Sequence, residues 1–451
     1  MSELLAGVVS VDVTPPVGIW QCGYGARTRP SERIRDDLRA TALTLEVDGK
    51  RAAIVAVDVI ALDRPSVATI RRQVSEQAGI SPERVLIACS HTHGGPVTMP
   101  LASQPGDDDY VRVLEKDIAG AIVMASRQMV PARLAYGDGH VGFSINRRVM
   151  TPSGVQMLPN PAGAIDRRMR VLRVDASDDE RDEPLAVLFA VCCHPTCLGA
   201  NNYAISADYA GAARRTIEHL YHGRTRALFL PGAFGNVRPR LLDERGRFRG
   251  ATDVELERIG RAVGAEAVRV AEELSGIPRA PGELTPRWNG DRGLDGATQD
   301  VTLHFRRIPS RDELLASDPS RNDGWAKRLL AKLDQHGSLP TEEPCEVQVL
   351  RLGPFLITSI AGELAVEIAQ GIEARLAPRD GVDAAIILGY SNGTSGYLCT
   401  AQQYAEGGYE SGTAHIPYHR PAPFADDTEA LLADAAVTLA DQVGVGSASR
   451  A

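Results

Sequence analysis

The stretch VLIACSHTHGGP, residues 85–96, passes from five apolar residues almost directly into two histidines that are one residue apart. The apolar run predicts a buried strand, and side chains two residues apart at a strand end point the same way. We therefore expect His91 and His93 to face one spot. The glycines that follow let the backbone turn away and leave room above the rings. The pattern is typical of a functional site, and equally of two hydrogen-bonded histidines at a strand end.

Strand-like and helix-like segments alternate on both sides of the two histidines. Apolar runs such as residues 85–90 and 185–193 alternate with amphipathic runs such as residues 65–78 and 253–274. Such alternation is typical of sheets covered by helices. The sequence therefore predicts an α/β fold with layered mixed β-sheets and flanking helices.

The composition of residues 278–300 differs from that of the segments on either side. It is rich in Pro, Gly, Arg and Asp, which predicts an internal loop or linker. Strand and helix patterns then resume, with a strand predicted over residues 299–307 and a final helix over residues 426–443. Because strand and helix patterns alternate in the same way in both halves of the chain, we expect residues 1–451 to form a single catalytic domain.

The overall composition excludes several classes of function. The net charge of −9 and the lack of a basic run argue against binding to nucleic acid or to an anionic membrane surface. The first residues lack a signal-peptide pattern and no apolar run is long enough for membrane insertion, so we expect a cytoplasmic protein. Seven cysteines, an odd number, favour reduced thiols over a disulfide framework. The sequence leaves open whether the chain forms a homo-oligomer.

Two further residues stand where a metal ligand is expected. His194 ends the apolar run AVLFAVCC, and Glu363 follows the predicted strand PFLITSI, residues 354–360. Together with His91 they place nitrogen and oxygen donors at three strand ends, which favours a zinc site. Each has a plainer explanation, since His194 could be a core histidine and Glu363 could complement the dipole of a following helix.

The pentapeptide GYSNG, residues 389–393, offers a different kind of active site. It matches the GxSxG pattern of serine hydrolases and follows a predicted strand, which makes Ser391 a candidate nucleophile. The residues after it do not begin a helix, as that motif requires. The acids and bases available for a triad are Glu406, Glu410, His415 and His419.

Several blocks of this chain resemble the catalytic domain of the neutral ceramidases, from about residue 5 to residue 409. They occur in the order and at about the spacing of that family, and the set is specific although no single block is. The blocks are SVDVTPPVGIWQCGYGAR, VLIACSHTHGGP, FSINRR, AVCCHPTCLGANNYAISADYAGAA, LFLPGAFGNVRPR, IAGE and GYSNGTSGYLCTAQQYAEGGYE.

The resemblance implies a fold like that catalytic domain and a zinc ion held by four residues. Carried over block by block, the ligands are His91, His194, Glu363 and Tyr397. Three of them agree with the strand-end residues above, whereas Tyr397 comes from the resemblance alone. The implied activity is that of a zinc-dependent amidohydrolase, in which zinc-activated water cleaves an amide C–N bond. His93 would then be the general acid/base.

The resemblance also implies two residues near the substrate carbonyl, Arg147 and Tyr409. Together with zinc they would stabilise the developing oxyanion. Arg147 could instead be a surface charge beside Arg148, and Tyr409 a core aromatic. Asp208, in the ISADY segment, is a candidate to orient His194 through its second ring nitrogen.

The chain departs from the neutral ceramidases in three respects that concern the substrate. We expect no C-terminal β-sandwich domain and no signal peptide. The family block GDVSPN reads here GNVRPR, so that Arg238 stands at the serine position. We therefore expect a small or medium soluble amide as the substrate rather than ceramide. The alternatives are a serine hydrolase using Ser391 and a non-catalytic binding protein that zinc stabilises.

The arginines of that block suggest an anionic group on the substrate. Arg238 and Arg240 are suited to bidentate capture of a carboxylate or phosphate, and we expect Arg147 and Arg148 near the same opening. The alternative is that Arg238 pairs with an acidic neighbour such as Asp243 or Glu244 and serves only the loop.

Overall fold

The computed structural model describes residues 3–101, 104–177, 183–275, 287–317 and 324–446. Twenty strands lie in these ranges: β1 (Leu4–Asp12), β2 (Arg33–Ile34), β3 (Arg39–Val47), β4 (Lys50–Val57), β5 (Val85–Cys89), β6 (Val130–His140), β7 (Ser144–Thr151), β8 (Gly154–Asn160), β9 (Arg168–Ala176), β10 (Ala186–Val191), β11 (Ala204–Ile205), β12 (Arg226–Pro231), β13 (Val237–Pro239), β14 (Arg287–Trp288), β15 (Leu294–His304), β16 (Glu342–Leu352), β17 (Phe355–Ile360), β18 (Glu363–Leu364), β19 (Ala384–Leu388) and β20 (Tyr397–Leu398).

The same ranges contain nine α-helices and two shorter helical turns. The α-helices are α1 (Arg64–Ala78), α2 (Asp108–Ser126), α3 (Asp208–Leu220), α4 (Asp253–Leu274), α5 (Arg311–Ala316), α6 (Trp325–His336), α7 (Val366–Leu376), α8 (Ala401–Glu406) and α9 (Thr428–Gln442). A 3₁₀ turn covers Pro82–Arg84 and a π-helical turn covers Tyr409–Thr413.

Two large mixed sheets form the centre of the fold. The first has nine strands in the order β12-β10-β9-β6-β1-β3-β4-β5, with β14 paired to β6. The second has the order β15-β16-β17-β19. Three pairs within these two sheets are parallel, namely β4 with β5, β10 with β12, and β17 with β19. Smaller sheets join β13 to β7 and β8, β2 to β11, and β18 to β20.

The two sheets pack face to face. Alternate side chains along their strands point into the core between the sheets, and the others point towards the helices. In β10, Leu188 faces the other sheet and joins a core with Leu350 and Ile386, whereas its neighbour Phe189 faces helices α3 and α4. Ile387 of β19 likewise faces away from that core, towards α7 and α9. Helices α1 and α2 cover another part of the large sheet. The result is four layers, helix, sheet, sheet and helix.

Local sequence signals explain where the covering helices begin and end. Helix α4 starts with a capping box in which Thr252 and Glu255 each bind the other's backbone N–H. Helix α1 starts after Asp63, whose side chain accepts from the N–H of Ser66, and it ends at Gly79 with φ of 65°. A left-handed residue at that position favours glycine.

The predicted α/β class is confirmed, whereas the element boundaries agree to different degrees. The helix predicted over residues 253–274 has those bounds. The strand predicted over residues 299–307 begins earlier, at Leu294, because residues 294–298 pair with β16 despite their polar composition. Residues 278–286 of the predicted loop lie outside the described residues. The single domain over residues 1–451 stays a prediction.

Two further sequence expectations concern the cysteines and membrane insertion. All seven cysteines are buried with free thiols, as predicted. Within the described residues, no helix combines the length and the apolar character that a bilayer crossing requires.

Candidate active site

The carboxyl ends of the parallel strands from both sheets meet at one place. His91 follows β5, His194 follows β10 and Glu363 follows β17. Backbone hydrogen bonds join these ends, since the N–H of Cys89 donates to Tyr390 O at 3.0 Å and the N–H of Gly389 donates to Pro231 O at 3.2 Å. The carboxyl edge of parallel strands is where α/β proteins usually place their sites.

His91 and His93 do face one spot, although not because an extended strand continues through them. Strand β5 ends at Cys89, and His91 has a φ of 62°, in the left-handed region. Their ring centres lie 5.1 Å apart. Gly94 is not left-handed; a Cβ there would lie 2.6 Å from Ser206 O, so glycine permits close approach of the two backbones.

The two buried histidines His91 and His194 are oriented in the same way. The Nδ1 atom of His91 lies 2.7 Å from Ile60 O, and that of His194 lies 2.6 Å from Phe234 O. Because a carbonyl only accepts, each Nδ1 must donate, which leaves each Nε2 with a free lone pair. Burial lowers the pKa of His194 to about 4, so this ring is neutral at neutral pH.

Glu363 completes the arrangement from the opposite sheet. Its Oε2 lies 3.4 Å from Nε2 of His91 and 3.1 Å from Nε2 of His194, and its Oε1 accepts from the hydroxyl of Tyr418 at 2.5 Å. The side chain is buried. Burial alone would raise the pKa of Glu363, but the two histidines hold it well below its usual range. The group is therefore a carboxylate at neutral pH.

His93 lies beside these residues with both ring nitrogens free. They are buried and have no hydrogen-bond partner among the described residues. The ring packs edge-on against Tyr24, with centres 4.8 Å apart. Burial, reinforced by His91 and His194, holds the pKa of His93 well below its usual range. A neutral ring with an unused nitrogen is able to accept a proton.

Glycine at position 23 makes the position of the His93 ring possible. Gly23 has a φ of 96°, and a Cβ built on it would lie 2.4 Å from Nδ1 of His93. Any side chain would therefore displace the imidazole.

Arg147 is neither at the surface nor unpaired. It is buried, its Nε donates to Glu410 at 2.7 Å, and its Nη2 donates to Gly235 O at 2.7 Å and to the Tyr397 hydroxyl at 3.0 Å. The arginine therefore fixes the position of the Tyr397 hydroxyl. Tyr409 packs edge-on against the Tyr397 ring, with centres 5.5 Å apart. It is 37% exposed and so is not a core aromatic.

The structure places Arg148 away from the position expected for it. Its Nη1 donates to Glu410 at 2.9 Å and its Nη2 to Gly407 O at 2.9 Å. Burial would raise the pKa of Glu410, but Arg147 and Arg148 together hold it below its usual range. Arg148 thus holds the turn that carries Tyr409, and it lines a surface pocket with Gln403 and Glu406 rather than with Arg238.

Asp208 does not orient His194. Its carboxylate accepts from the backbone N–H groups of Cys197, Leu198 and Tyr209, and the residue itself is left-handed with φ of 54°. The role predicted for Asp208 belongs to backbone carbonyls, because Nδ1 of His194 already donates to Phe234 O.

Ser391 lacks the surroundings of a serine nucleophile. It is fully buried, and its hydroxyl donates to the backbone oxygen of Gly389 at 2.8 Å. The neighbours Tyr390 and Asn392 are left-handed, with φ of 53° and 58°. Within the described residues, no histidine is hydrogen-bonded to Ser391.

The arginines of the GNVRPR block point in different directions. Arg240 is exposed. Arg238 is partly buried, with its guanidinium carbon 4.3 Å from the ring centre of Phe248. Asp243 pairs with Arg247 instead of Arg238. The predicted pairing of Arg238 with Asp243 is therefore wrong.

The donor set satisfies the chemistry of a zinc site. Nitrogen atoms of His91, His93 and His194 lie within 4.8 Å of one another, and Glu363 contributes a carboxylate oxygen. Two histidines whose Nδ1 atoms donate to carbonyls, and one carboxylate, are a donor set that suits a metal ion such as zinc. Tyr397 adds a hydroxyl held by Arg147.

Tyr418 and Tyr24 of this site were not singled out by the sequence patterns, and Glu410 was considered only as an acid of a serine-hydrolase triad. Tyr418 contacts Glu363, Glu410 joins two arginines, and Tyr24 contacts His93. Tyr24 and Glu410 lie in blocks that resemble the ceramidases, whereas Tyr418 lies in none of them and had no signal.

The fold is of the α/β class, with histidines and a carboxylate at the ends of strands from two packed sheets, and comparisons with known proteins give its family. The model of the N-terminal part of neutral/alkaline non-lysosomal ceramidases matches residues 4–245. The chain therefore belongs to the neutral/alkaline non-lysosomal ceramidase family, which implies a hydrolase.

Relatives with known names agree with this assignment. The chain is 24% identical to the neutral ceramidase of Pseudomonas aeruginosa, across 97% of this chain and 72% of that protein. It is 26% identical to neutral ceramidase 1 of Arabidopsis thaliana, across 50% of this chain and 30% of that protein. The crystal structure of the Pseudomonas aeruginosa enzyme superposes with a TM-score of 0.75 at 20% identity, covering all of this chain and 76% of that one. A second structure, a ceramidase complexed with C2, gives 0.76, also at 20% identity. The superpositions support the fold.

Proposed function

We propose that the chain is a zinc-dependent amidohydrolase. The observation that carries the proposal is the convergence of three donor atoms. Oε2 of Glu363 lies 3.4 Å from Nε2 of His91 and 3.1 Å from Nε2 of His194. These residues and Tyr397 would hold the metal. When bound, zinc lowers the pKa of a coordinated water to about 7 and polarises a carbonyl.

His93 would act as the general acid/base in this proposal. Its neutral ring, next to the proposed ligands, can accept a proton from the attacking water and return it to the departing amine. The contact with Tyr24 keeps the imidazole in place. General acid/base action of this kind is worth about 10²- to 10⁴-fold in rate.

Arg147 and Tyr409 would bind the substrate carbonyl region. The guanidinium of Arg147 is anchored at Glu410 and Gly235 O, so that its charge is held in a fixed position. A preorganised positive charge stabilises a developing oxyanion without further reorganisation. Tyr409, partly exposed beside Tyr397, can contact the substrate from the solvent side.

The decisive experiment is metal analysis of protein purified without added metal. We expect about one zinc per chain, loss of amide hydrolysis on chelation, and recovery on adding zinc back. Full activity in a metal-free sample would reject the proposal. The serine-hydrolase alternative predicts fluorophosphonate labelling at Ser391 and indifference to chelators. A zinc-stabilised binding protein predicts a large loss of thermal stability on chelation, with no turnover of any amide or ester.

The substrate we propose is a small or medium soluble amide. Ceramide, the substrate after which the family is named, is the comparison substrate that tests this choice. Both should be assayed with the same zinc-loaded protein, ceramide in detergent micelles and short N-acyl amides in buffer. A higher kcat/KM for ceramide than for every soluble amide would reject the choice while leaving the zinc chemistry intact.

Replacing Gly23 by alanine is expected to slow hydrolysis by roughly 10²-fold without loss of zinc. A Cβ at this position overlaps the His93 ring, and a displacement of about 1 Å in a catalytic group costs this much. The matched control is Gly18→Ala, at a φ of 100° and with no atom within 4 Å of the added Cβ. Both variants carry backbone strain, so equal kinetic losses would show that strain, rather than His93, is the cause.

Replacing Tyr418 by phenylalanine is expected to weaken zinc binding by about 10- to 100-fold. The change removes the hydroxyl that donates to Oε1 of Glu363 at 2.5 Å. Competition with a chromophoric chelator measures the affinity, and kcat at saturating zinc should change little. Tyr136→Phe is the control, because its hydroxyl donates to Asp138 at 2.6 Å in an exposed position. Unchanged zinc affinity in Tyr418→Phe would contradict the supporting role.

A further inference from the structure

Two arginines next to the proposed active site lack the acidic partner that other buried arginines have. Among the described residues, every buried arginine except Arg27 forms an ion pair with a carboxylate. Arg71 with Glu346 and Arg173 with Asp175, each at 2.7 Å, are examples. Arg27 is only 4% exposed, and no described carboxylate lies within 4.0 Å of it. Arg238, partly buried, has none either. A buried cation without a partner is costly.

The donor groups of Arg27 are only partly satisfied. Its Nη1 donates to Cys22 O at 2.6 Å and its Nη2 to His93 O at 2.7 Å, whereas its buried Nε has no partner in the described chain. The guanidinium therefore holds the backbone of His93 while its positive charge stays uncompensated. Burial accordingly lowers the pKa of Arg27.

Arg238 is less constrained, since no hydrogen bond to its guanidinium is found in the part of the chain that the structure describes. Its Nε is buried and its guanidinium carbon lies over the ring of Phe248. Burial lowers the pKa of Arg238, and the positive charge of Arg147 lowers it further. A planar guanidinium stacked on an aromatic ring is oriented for bidentate contacts in its plane.

Tyr24 provides a further unused donor in the same place. Its hydroxyl is buried without a hydrogen-bond partner among the described residues. Burial raises the pKa of Tyr24 to about 12, and the positive charge of Arg238 opposes this rise. The Tyr24 ring also contacts Arg27, whose guanidinium carbon lies 5.1 Å from the ring centre.

The three residues are attached directly to the site histidines. Tyr24 packs against the ring of His93 and Arg27 binds its backbone oxygen. Arg238 follows Val237, whose backbone oxygen accepts from Nδ1 of His194 at 3.0 Å. The positive charge of Arg27 therefore lies beside His93, and Arg238 is next in the chain to a residue that contacts His194.

We propose that Arg238 and Tyr24 form a subsite for a carboxylate on the amine portion of the substrate, with Arg27 adding positive charge behind it. One guanidinium and one hydroxyl match the two oxygens of a carboxylate. The amine portion follows from the role of His93, which would protonate the leaving amine. The substrate class is then an N-acyl amino acid, an assignment that rests on the proposed amidohydrolase activity.

The test compares N-acylglycines of graded chain length with the corresponding uncharged N-acylglycinamides. We expect the wild-type protein to favour the carboxylates by about 10- to 100-fold in kcat/KM, the usual effect of hydrogen bonds to a charged group. Arg238→Ala should abolish this preference by raising KM for the carboxylates alone, and Arg238→Lys should retain part of it. The control Arg245→Ala removes an exposed arginine of the neighbouring loop and should change neither series.

Several outcomes would overturn the subsite. Equal losses for charged and uncharged amides in Arg238→Ala would make the arginine structural, as would a lower melting temperature without any change in preference. If Arg238→Ala fails to fold, Tyr24→Phe serves instead, and unchanged selectivity in that variant counts against the proposal.

Binding without turnover separates this proposal from the proposed function. Calorimetry with N-acetylglycine and with inorganic phosphate should show binding of the carboxylate to wild type and its loss in Arg238→Ala. If that pattern is found but no amide is hydrolysed, the amidohydrolase fails and the subsite stands. If phosphate binds and the carboxylate does not, the assignment to N-acyl amino acids is wrong.

Discussion

Replacing Glu363 by alanine is expected to abolish zinc binding and hydrolysis together, with His91→Ala and His194→Ala giving the same result. One oxygen of Glu363 contacts both Nε2 atoms, so its loss removes a ligand and leaves two imidazoles with no shared anionic partner. Removing a ligand costs coordination energy directly. Zinc content after dialysis, measured by atomic emission, is expected to fall below about a tenth of the wild-type value.

The control for this set is Glu76→Ala, which removes an exposed glutamate from α1. It should keep both zinc and activity. Circular dichroism of each variant separates loss of metal from loss of fold. Stoichiometric zinc in well-folded Glu363→Ala protein would exclude Glu363 as a ligand and would require another residue to take its place.

Replacing His93 by alanine is expected to lower kcat by roughly 10²- to 10⁴-fold while zinc stays bound. The structure gives His93 no hydrogen-bond partner in its described part, as expected of a group that exchanges a proton with substrate and water. Its nitrogens also lie close enough to those of His91 and His194 for it to be a ligand. Zinc content distinguishes the two roles.

The exposed His140 provides the control, since His140→Ala should leave both kcat and zinc unchanged. Loss of zinc from His93→Ala to the same extent as from His91→Ala would make His93 a ligand and end its assignment as the acid/base. If His93→Ala retains zinc and its kcat is unchanged, a group other than His93 transfers the proton.

The strand ends could be predicted from the sequence because their apolar runs are short, continuous and followed by polar residues. His91, His194 and Glu363 were found in this way, from a strand pattern that the structure confirms in both sheets. The backbone geometry could not be predicted. The left-handed φ of His91 depends on contacts with residues distant in the chain, such as Ile60 O, 31 residues away.

Contacts made by irregular segments were beyond the sequence patterns. Tyr418 lies in a segment without helical or strand periodicity, and its contact with Glu363 spans 55 residues. The Arg147–Glu410 pair spans 263 residues. Which of two adjacent arginines faces the site depends on sheet register and on a bulge between Asn146 and Arg148. Such information is absent from composition and spacing.

The scattered origin of the donor atoms has a consequence for folding. His194 and Glu363 are 169 residues apart and follow strands of different sheets, so their contact closes a long loop. Contacts at such separation form late, because the chain loses the entropy of loop closure before it gains the free energy of the contact. A partly folded chain with only one sheet formed therefore lacks the full donor set. During refolding, the appearance of metal affinity would time the docking of the two sheets rather than the formation of either one.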